Sequence, residues 1–420
     1  MAVCYNQVAY SDYSMENLLV RHLIYWIAYM DKVFLTYTDI NDRFRNCLRQ
    51  VIIMKKREKT KLLLIGGGIT QACLLKQFAR ADLAKFEIIM LSSKPVISYP
   101  EMAANFFYGY HSEEDIQLDL AGICREKGIQ YVWEDIYEID SAHQVVKTEN
   151  GRVFSYDIAV INPDDNYQTI EGLLKYGVPI RLGENLPKVK QDLSGKSAER
   201  IVTIVGAGKL GVELALSLRI MFNKLKKYPV ISVIEAAHSV LPGFDLQVKE
   251  LVMDELINNG IELLLGRKVA RITGDLLVFS DNQILDYGYL IWTPKPTVNP
   301  MLKERGLAVE NGLLRLNSYL QSFNMLNLFG AGGMVTVGGN YFDFMADPIE
   351  YAELLLKNIR RYSEKNRLIK VTPPKQKQTV LNIKPKHAVQ VVKERVSHGK
   401  HIWKKKKLRD LKLSRKLRVI

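Results

Sequence analysis

The chain has 420 residues, room for two or three domains at roughly 100 to 200 residues each. A make-up of 47% hydrophobic, 25% charged and 9% aromatic residues excludes a collagenous repeat, a disulfide scaffold and disorder over most of the length. The net charge of +14 is local: residues 365–420 hold 19 Lys and Arg against Glu394 and Asp410, whereas the rest holds 40 basic and 43 acidic side chains, so the near-neutral body implies no nucleic-acid-binding core.

Residues 1–53 are aromatic-rich, with a helix expected over 16–29, and read as an extension; Met54 is an alternative start. The apolar stretch 18–30 is interrupted by Arg21 and His22 and is shorter than the about 20 residues needed to cross a bilayer. No Lys or Arg precedes Arg21, which argues against a secretory signal. Cys4, Cys47, Cys73 and Cys124 show neither a C-x-x-C pair nor metal-ligand spacing, a pattern that suits a reducing, cytoplasmic setting without bound metal.

From Lys61 the pattern becomes strand, glycine turn, helix, strand. The apolar run 62–65 predicts a strand buried on both faces, followed by a helix over 70–81 and a strand over 86–91, one βαβ unit. Ser112 and Asp115 predict a helix start, with the helix ending near Lys127. A strand at 129–133 and a hairpin turning at Asn150-Gly151 follow. A second unit opens at Arg200, with a strand at 201–205, a helix at 210–226, a strand at 230–234 and a helix at 247–259. Two such units predict an α/β fold with two Rossmann-like dinucleotide-binding domains. The segment VTPPKQKQ, 371–378, predicts a linker ahead of a basic tail.

The loops supply candidate binding residues. Gly206-Ala207-Gly208-Lys209-Leu210-Gly211 fits G-x-G-x-x-G between strand and helix: Gly206 permits the turn, Gly208 admits a pyrophosphate at the helix N-terminus, and Gly211 lets helix and strand pack closely. Glu235, at the end of the next strand, suits ribose hydroxyls and repels a 2′-phosphate, which favours NADH over NADPH. The bland alternative is a strand-to-helix turn without a ligand. The first loop, Gly66-Gly67-Gly68-Ile69-Thr70-Gln71, has Gln71 in place of the third glycine, and Ser92 and Ser93 in place of the acid. Gln71 is expected to push the helix off the strand or to point outward.

With these loops, and with SYPEMAANFFYGYHSEEDIQLDLAGICREKGI, YDIAVIN, VIEAAHSVLPGF, LIWTPKPTVNP and LQSFNMLNLFGAGG, the chain resembles the flavoproteins of the pyridine nucleotide-disulfide oxidoreductase superfamily over roughly 61–361. Within it, the sequence is most similar to the type II NADH dehydrogenase group and to the flavoprotein module fused to some selenophosphate synthetases. The resemblance implies a glutathione-reductase-like arrangement: an FAD-binding domain, 54–165 and 286–364, an inserted NAD-binding domain, 166–285, and a basic tail, 365–420. It implies FAD on Gly66, Gly67 and Gly68 and on the late loop at Gly332 and Gly333, and NADH on Gly206, Gly208, Gly211 and Glu235. Glu213 becomes the catalytic acid beside the flavin and nicotinamide rings; read from the residues alone, it is an acid in a helix's first turn, favoured by the dipole. NADH would give a hydride to FAD, and the electrons would pass to a second acceptor such as a quinone. A homodimer is left open.

The departures from the family matter as well. The late A-x-G-D motif reads Gly330-Ala331-Gly332-Gly333, without the Asp that hydrogen-bonds the ribityl chain; A-T-G reads Thr293-Pro294-Lys295; and 346–351 lacks both glutamines of the quinone-contact pattern. They motivate an alternative, a non-catalytic nucleotide-binding or interaction protein on a decayed flavoprotein fold. In the tail, Ile402, Trp403, Leu413, Leu417 and Ile420 share one side of a helical wheel, and Lys405, Arg409, Lys412 and Lys416 another. One reading is an interfacial helix anchored by Trp403 on an anionic membrane surface, peripheral on its inner face. The other is a solvated, disordered tail, because Lys406 interrupts the apolar side. Nucleic-acid contact is the weakest reading.

Overall fold

Leu62, Leu63, Leu64 and Ile65 are all buried and form the heart of β1 (Thr60–Ile65) in the computed structural model. The described residues are 59–419 without 163–164, 168, 181–184, 196–199, 294–295, 299–305, 311, 339, 342–346, 372–377 and 393–394. The helix expected over 16–29 and the alternative start at Met54 lie outside them.

Gly66, at φ +82°, turns the chain from β1 into α1 (Ile69–Gln77). The helix expected over 70–81 ends early, because Phe78 turns extended and is buried. A separate short helix, Arg80–Lys85, starts where the Asp82 carboxylate accepts the Ala79 N–H at 2.7 Å. Then come β2 (Phe86–Leu91) and α2 (Ala103–Phe107). Ser112 and Asp115 do form the reciprocal cap, but that helix stops at Ile116 because Gln117–Asp119 pairs antiparallel with Val96–Ser98. Asp119 starts a further helix, Leu120–Lys127, by accepting the Gly122 N–H at 2.7 Å. β3 (Gln130–Val132) follows, then the hairpin turning at Gly151, φ +76°, and β4 (Ile158–Ile161).

The second unit runs β5 (Val178–Pro179), β6 (Ile201–Val205), α3 (Lys209–Leu225), β7 (Val230–Glu235), α4 (Leu246–Asn258), β8 (Ile261–Leu265) and β9 (Tyr289–Trp292). The chain returns as β10 (Leu328–Gly330) and α5 (Pro348–Ser363). Two five-stranded parallel sheets result, in the orders β10-β4-β1-β2-β3 and β5-β9-β6-β7-β8. Parallel sheets covered on both faces need apolar strands, which is why these strands read as unbroken Leu, Ile and Val runs.

The basic tail is folded. β11 (Gln378–Lys384), β12 (His387–Val392) and β13 (Arg395–Gly399) make an antiparallel sheet, followed by α6 (Lys400–Leu417). Ile402, Trp403, Leu413 and Leu417 are buried as one face of α6, at roughly 1.5 to 3 kcal/mol for each large apolar side chain. Trp403 points inward, its Nε1 donating to Asn105 Oδ1 at 2.9 Å and its ring edge-on to Tyr110, so it is not a membrane anchor. Lys406, the expected interruption, is buried as well: its ammonium pairs with Asp410 one turn on, at 2.7 Å. Residues 60–420 form one compact unit. Among the described residues no helix is long and apolar enough to cross a membrane.

Candidate functional site

Both glycine loops lie at the C-terminal edge of their sheets, where open α/β sheets bind ligands. In the second loop Gly206 has φ +107°, and a Cβ there would stand 2.5 Å from the carbonyl and hydroxyl oxygens of Thr293. A Cβ on Gly211 would stand 1.9 Å from the Gly206 carbonyl oxygen, so this glycine permits close helix–strand packing. Gly208 differs from both: it is exposed, and a Cβ there meets nothing within 4 Å. It caps α3 without a side chain, which leaves first-turn N–H groups for an anion. Glu235, at the end of β7, accepts the N–H of Ala207 at 2.8 Å and of Ala237 at 2.9 Å, one on each carboxylate oxygen.

The first loop is built otherwise. Gly66, Gly67 and Gly68 are buried, and Gly68 caps α1, again without a side chain. Gln71 neither pushes the helix away nor points outward. It is buried, and its Nε2 donates to the carbonyls of Ile65 and Val160 at 3.3 and 3.2 Å, tying the ends of β1 and β4 together under the turn. Ser92 is buried and accepts the Lys94 N–H at 3.1 Å, its hydroxyl 2.9 Å from where a Gly67 Cβ would stand. The Thr70 hydroxyl, in the first turn of α1, is buried without a hydrogen-bond partner among the described residues. In the late loop Gly332 has φ +89°, and a Cβ on Gly333 meets nothing within 4 Å.

Glu213 lies beyond the first turn of α3, which holds no acid, and is 2% exposed. The first-turn dipole reading therefore does not apply. Its Oε1 accepts both the backbone N–H and the side-chain amide of Asn382, at 2.7 and 2.9 Å, from β11. Burial pushes the Glu213 carboxyl up, against the opposing pull of Lys209 and Lys406. Beside it, Glu101 pairs with Lys209 at 2.5 Å and Lys406 at 3.4 Å. Burial opposes ionisation there, but these two ammonium groups bring the Glu101 carboxyl down to about 2. For Lys406, burial is outweighed by Asp410, Glu101 and Glu213, which hold its ammonium above the ordinary range.

Sequence reasoning missed Glu101, Asn382, Lys406 and Asp410. Only the i,i+4 spacing of the last two could have signalled the pair. Nearby, His111 is buried with neither ring nitrogen bonded among the described residues, and burial lowers its pKa to about 4. The unfolded chain takes the proton near pH 6.5 and the folded chain only near 4, so stability is full above the first value and lost as pH falls between them. Urea midpoints of His111→Gln across that window should show a weaker acid loss than the parent.

Two parallel sheets that share a four-strand order, β4-β1-β2-β3 and β9-β6-β7-β8, each with a glycine turn leading to a helix without a side-chain cap, define an α/β protein with two dinucleotide-type halves. The chain belongs to the pyridine nucleotide-disulphide oxidoreductase family, whose model matches residues 60–345. It is 24% identical over 314 residues to the assimilatory nitrate reductase electron transfer subunit of Bacillus subtilis, covering 72% of this chain and 39% of that protein. To an NADH dehydrogenase-like protein of Mycobacterium tuberculosis it is 23% identical over 298 residues, covering 65% of this chain and 72% of the other. Among solved structures, the sulfide:quinone oxidoreductase of Aquifex aeolicus aligns with a TM-score of 0.67 at 18% identity, over 86% of this chain and 92% of that one. NDH2 of Plasmodium falciparum in complex with NADH aligns with a TM-score of 0.67 at 14% identity, over 85% and 96%. At these identities the structural likeness concerns the fold.

The residues present fit the two groups this family implies. Gly208 and Gly333 leave room where a Cβ would reach, both loop helices start without a side-chain cap, and the Thr70 hydroxyl lacks a protein partner among the described residues.

Proposed function

We propose that the chain is an FAD-dependent oxidoreductase that takes a hydride from NADH and passes electrons to a second acceptor. The observation that carries this reading is the open Gly208 turn beside Glu235, together with a second strand–glycine turn–helix unit at Gly66–Gly68 in the other parallel sheet. In this reading 54–165 and 286–364 serve FAD, with β9 lent to the other sheet, and 166–285 serves NADH.

FAD, when bound, supplies a two-electron acceptor that can release electrons to a further partner. Gly66, Gly67 and Gly68 hold its pyrophosphate side, and Gly332 and Gly333 its ribityl side. Gly208 would admit the NADH pyrophosphate at the start of α3, with Gly206 making the turn and Gly211 letting helix and strand pack closely behind it. Each Glu235 oxygen keeps a lone pair for a ribose hydroxyl, and its charge disfavours a 2′-phosphate. Glu213, raised by burial and held by Asn382, would be the residue that holds a proton during the transfer. The buried hydrogen bond from Trp403 to Asn105 fixes α6 against α2.

A quinone is the second acceptor in this proposal, supported by the quinone named for the Aquifex relative. Docking on an anionic membrane surface belongs to it too, supported by Lys404, Lys405, Arg409, Lys412, Arg415 and Lys416 exposed along α6. An absorption spectrum of the purified full chain tests the core of the reading. Flavin absorption that bleaches on anaerobic addition of NADH is expected; a colourless protein that gains no NADH oxidation with added FAD rejects it in favour of the non-catalytic alternative.

A further inference from the structure

At the C-terminal end of β4, between β1 and β10, stands Asn162. Its backbone N–H donates to the Ile65 carbonyl at 2.8 Å, and the Ala331 N–H donates to the Ile161 carbonyl just before it at 2.9 Å. The Asn162 side chain therefore lies between the Gly66–Gly68 turn on one flank and the Ala331–Gly333 turn on the other. Both turns are built around it. A Cβ on Gly68 would fall 2.0 Å from Asn162 Nδ2, and a Cβ on Gly332 would fall 1.6 Å from Asn162 Oδ1. Asn162 is only 5% exposed, yet its amide makes no hydrogen bond with any of the described residues. An amide without a protein partner has its donor and acceptor free for a ligand or water.

Its orientation is chemically ordered. The donor end faces the loop assigned to the pyrophosphate, and the acceptor end faces the loop assigned to the ribityl chain. The late loop is also where the expected carboxylate is missing, at Gly333. We propose that Asn162 is a flavin-binding residue that takes over from the missing carboxylate: Nδ2 donates to a pyrophosphate oxygen, and Oδ1 accepts a ribityl hydroxyl. The assignment rests on the FAD reading above and adds to it a contact from the middle strand end. It also gives a reason for Gly332 that is independent of backbone conformation, since any side chain there would displace the amide.

The test is FAD affinity, read by quenching of flavin fluorescence on the flavin-stripped full chain, together with the melting midpoint of the flavin-free protein. Asn162→Ala should raise Kd about tenfold or more, the loss expected when a hydrogen bond to a charged group is removed. Asn162→Asp keeps the shape but turns a carboxylate towards phosphate, and should bind more weakly still, with the flavin-free midpoint near that of the parent. Adding Gly333→Asp to Asn162→Ala should recover part of the affinity, since a side chain at 333 has open space. Parental affinity in Asn162→Asp means that the residue only packs the loops, and overturns the proposal even if Asn162→Ala fails to fold. A parent chain that binds no FAD overturns the FAD reading itself, and this assignment with it.

Discussion

Replacing Asp410 by Ala should destabilise the protein by about 3 to 5 kcal/mol, the usual effect of stranding one member of a buried ion pair. Lys406 is 2% exposed and Asp410 0%, and their 2.7 Å contact sits where α6 meets the Glu101 loop. With Asp410 gone, Lys406 keeps, among the described residues, only the Glu101 carbonyl and the Glu101 carboxylate, which Lys209 already engages. The double replacement Lys406→Met with Asp410→Leu removes both charges and should return close to parental stability, because well-packed apolar pairs often replace buried ion pairs without loss. Urea unfolding of the full chain checks both. A small effect of Asp410→Ala would mean that α6 contributes little to the fold. The same geometry predicts that removing residues 365–420 uncovers the body instead of trimming an appendage.

The second large effect separates two glycines only three residues apart. Gly211→Ala forces a Cβ to within 1.9 Å of the Gly206 carbonyl, so α3 or the turn must move, at a cost of about 1 to 3 kcal/mol typical of overpacking. Gly208→Ala meets nothing within 4 Å at φ −68°, so its melting midpoint should match the parent. What it blocks is the approach of a pyrophosphate, and NADH affinity should fall about tenfold or more, ~1.4 kcal/mol per decade. Melting curves and NADH titration of the two variants distinguish a packing glycine from a binding one. Equal NADH affinity in Gly208→Ala and the parent would remove the second loop from the binding site.

Strands and glycine turns were legible in the sequence because their signals are local: an apolar run of strand length, then glycines where φ turns positive. The interruption at Gln117–Asp119 was not, since it depends on pairing with Val96–Ser98. Gln71 was misread because spacing alone shows a missing glycine, whereas the carbonyls that take up its amide belong to β1 and β4. The tail was misread for a similar reason. In the sequence Lys406 breaks an apolar face; in the fold Asp410 and Glu101 surround it, the latter supplied from 305 residues away. Asn162 carried no signal beyond its place after an apolar strand, because its meaning lies in the two glycines that flank it in space.

The Glu101–Lys406 contact also orders events in time. A chain made from its N-terminus folds its early units first, and both sheets are complete in sequence once β10 has been synthesised. The Glu101 loop, the Glu213 carboxylate and the indole site at Asn105 still wait for Lys406, Asn382 and Trp403. During that interval both sheets can form while three polar groups of the body, at Glu101, Asn105 and Glu213, still lack the partners that β11 and α6 bring.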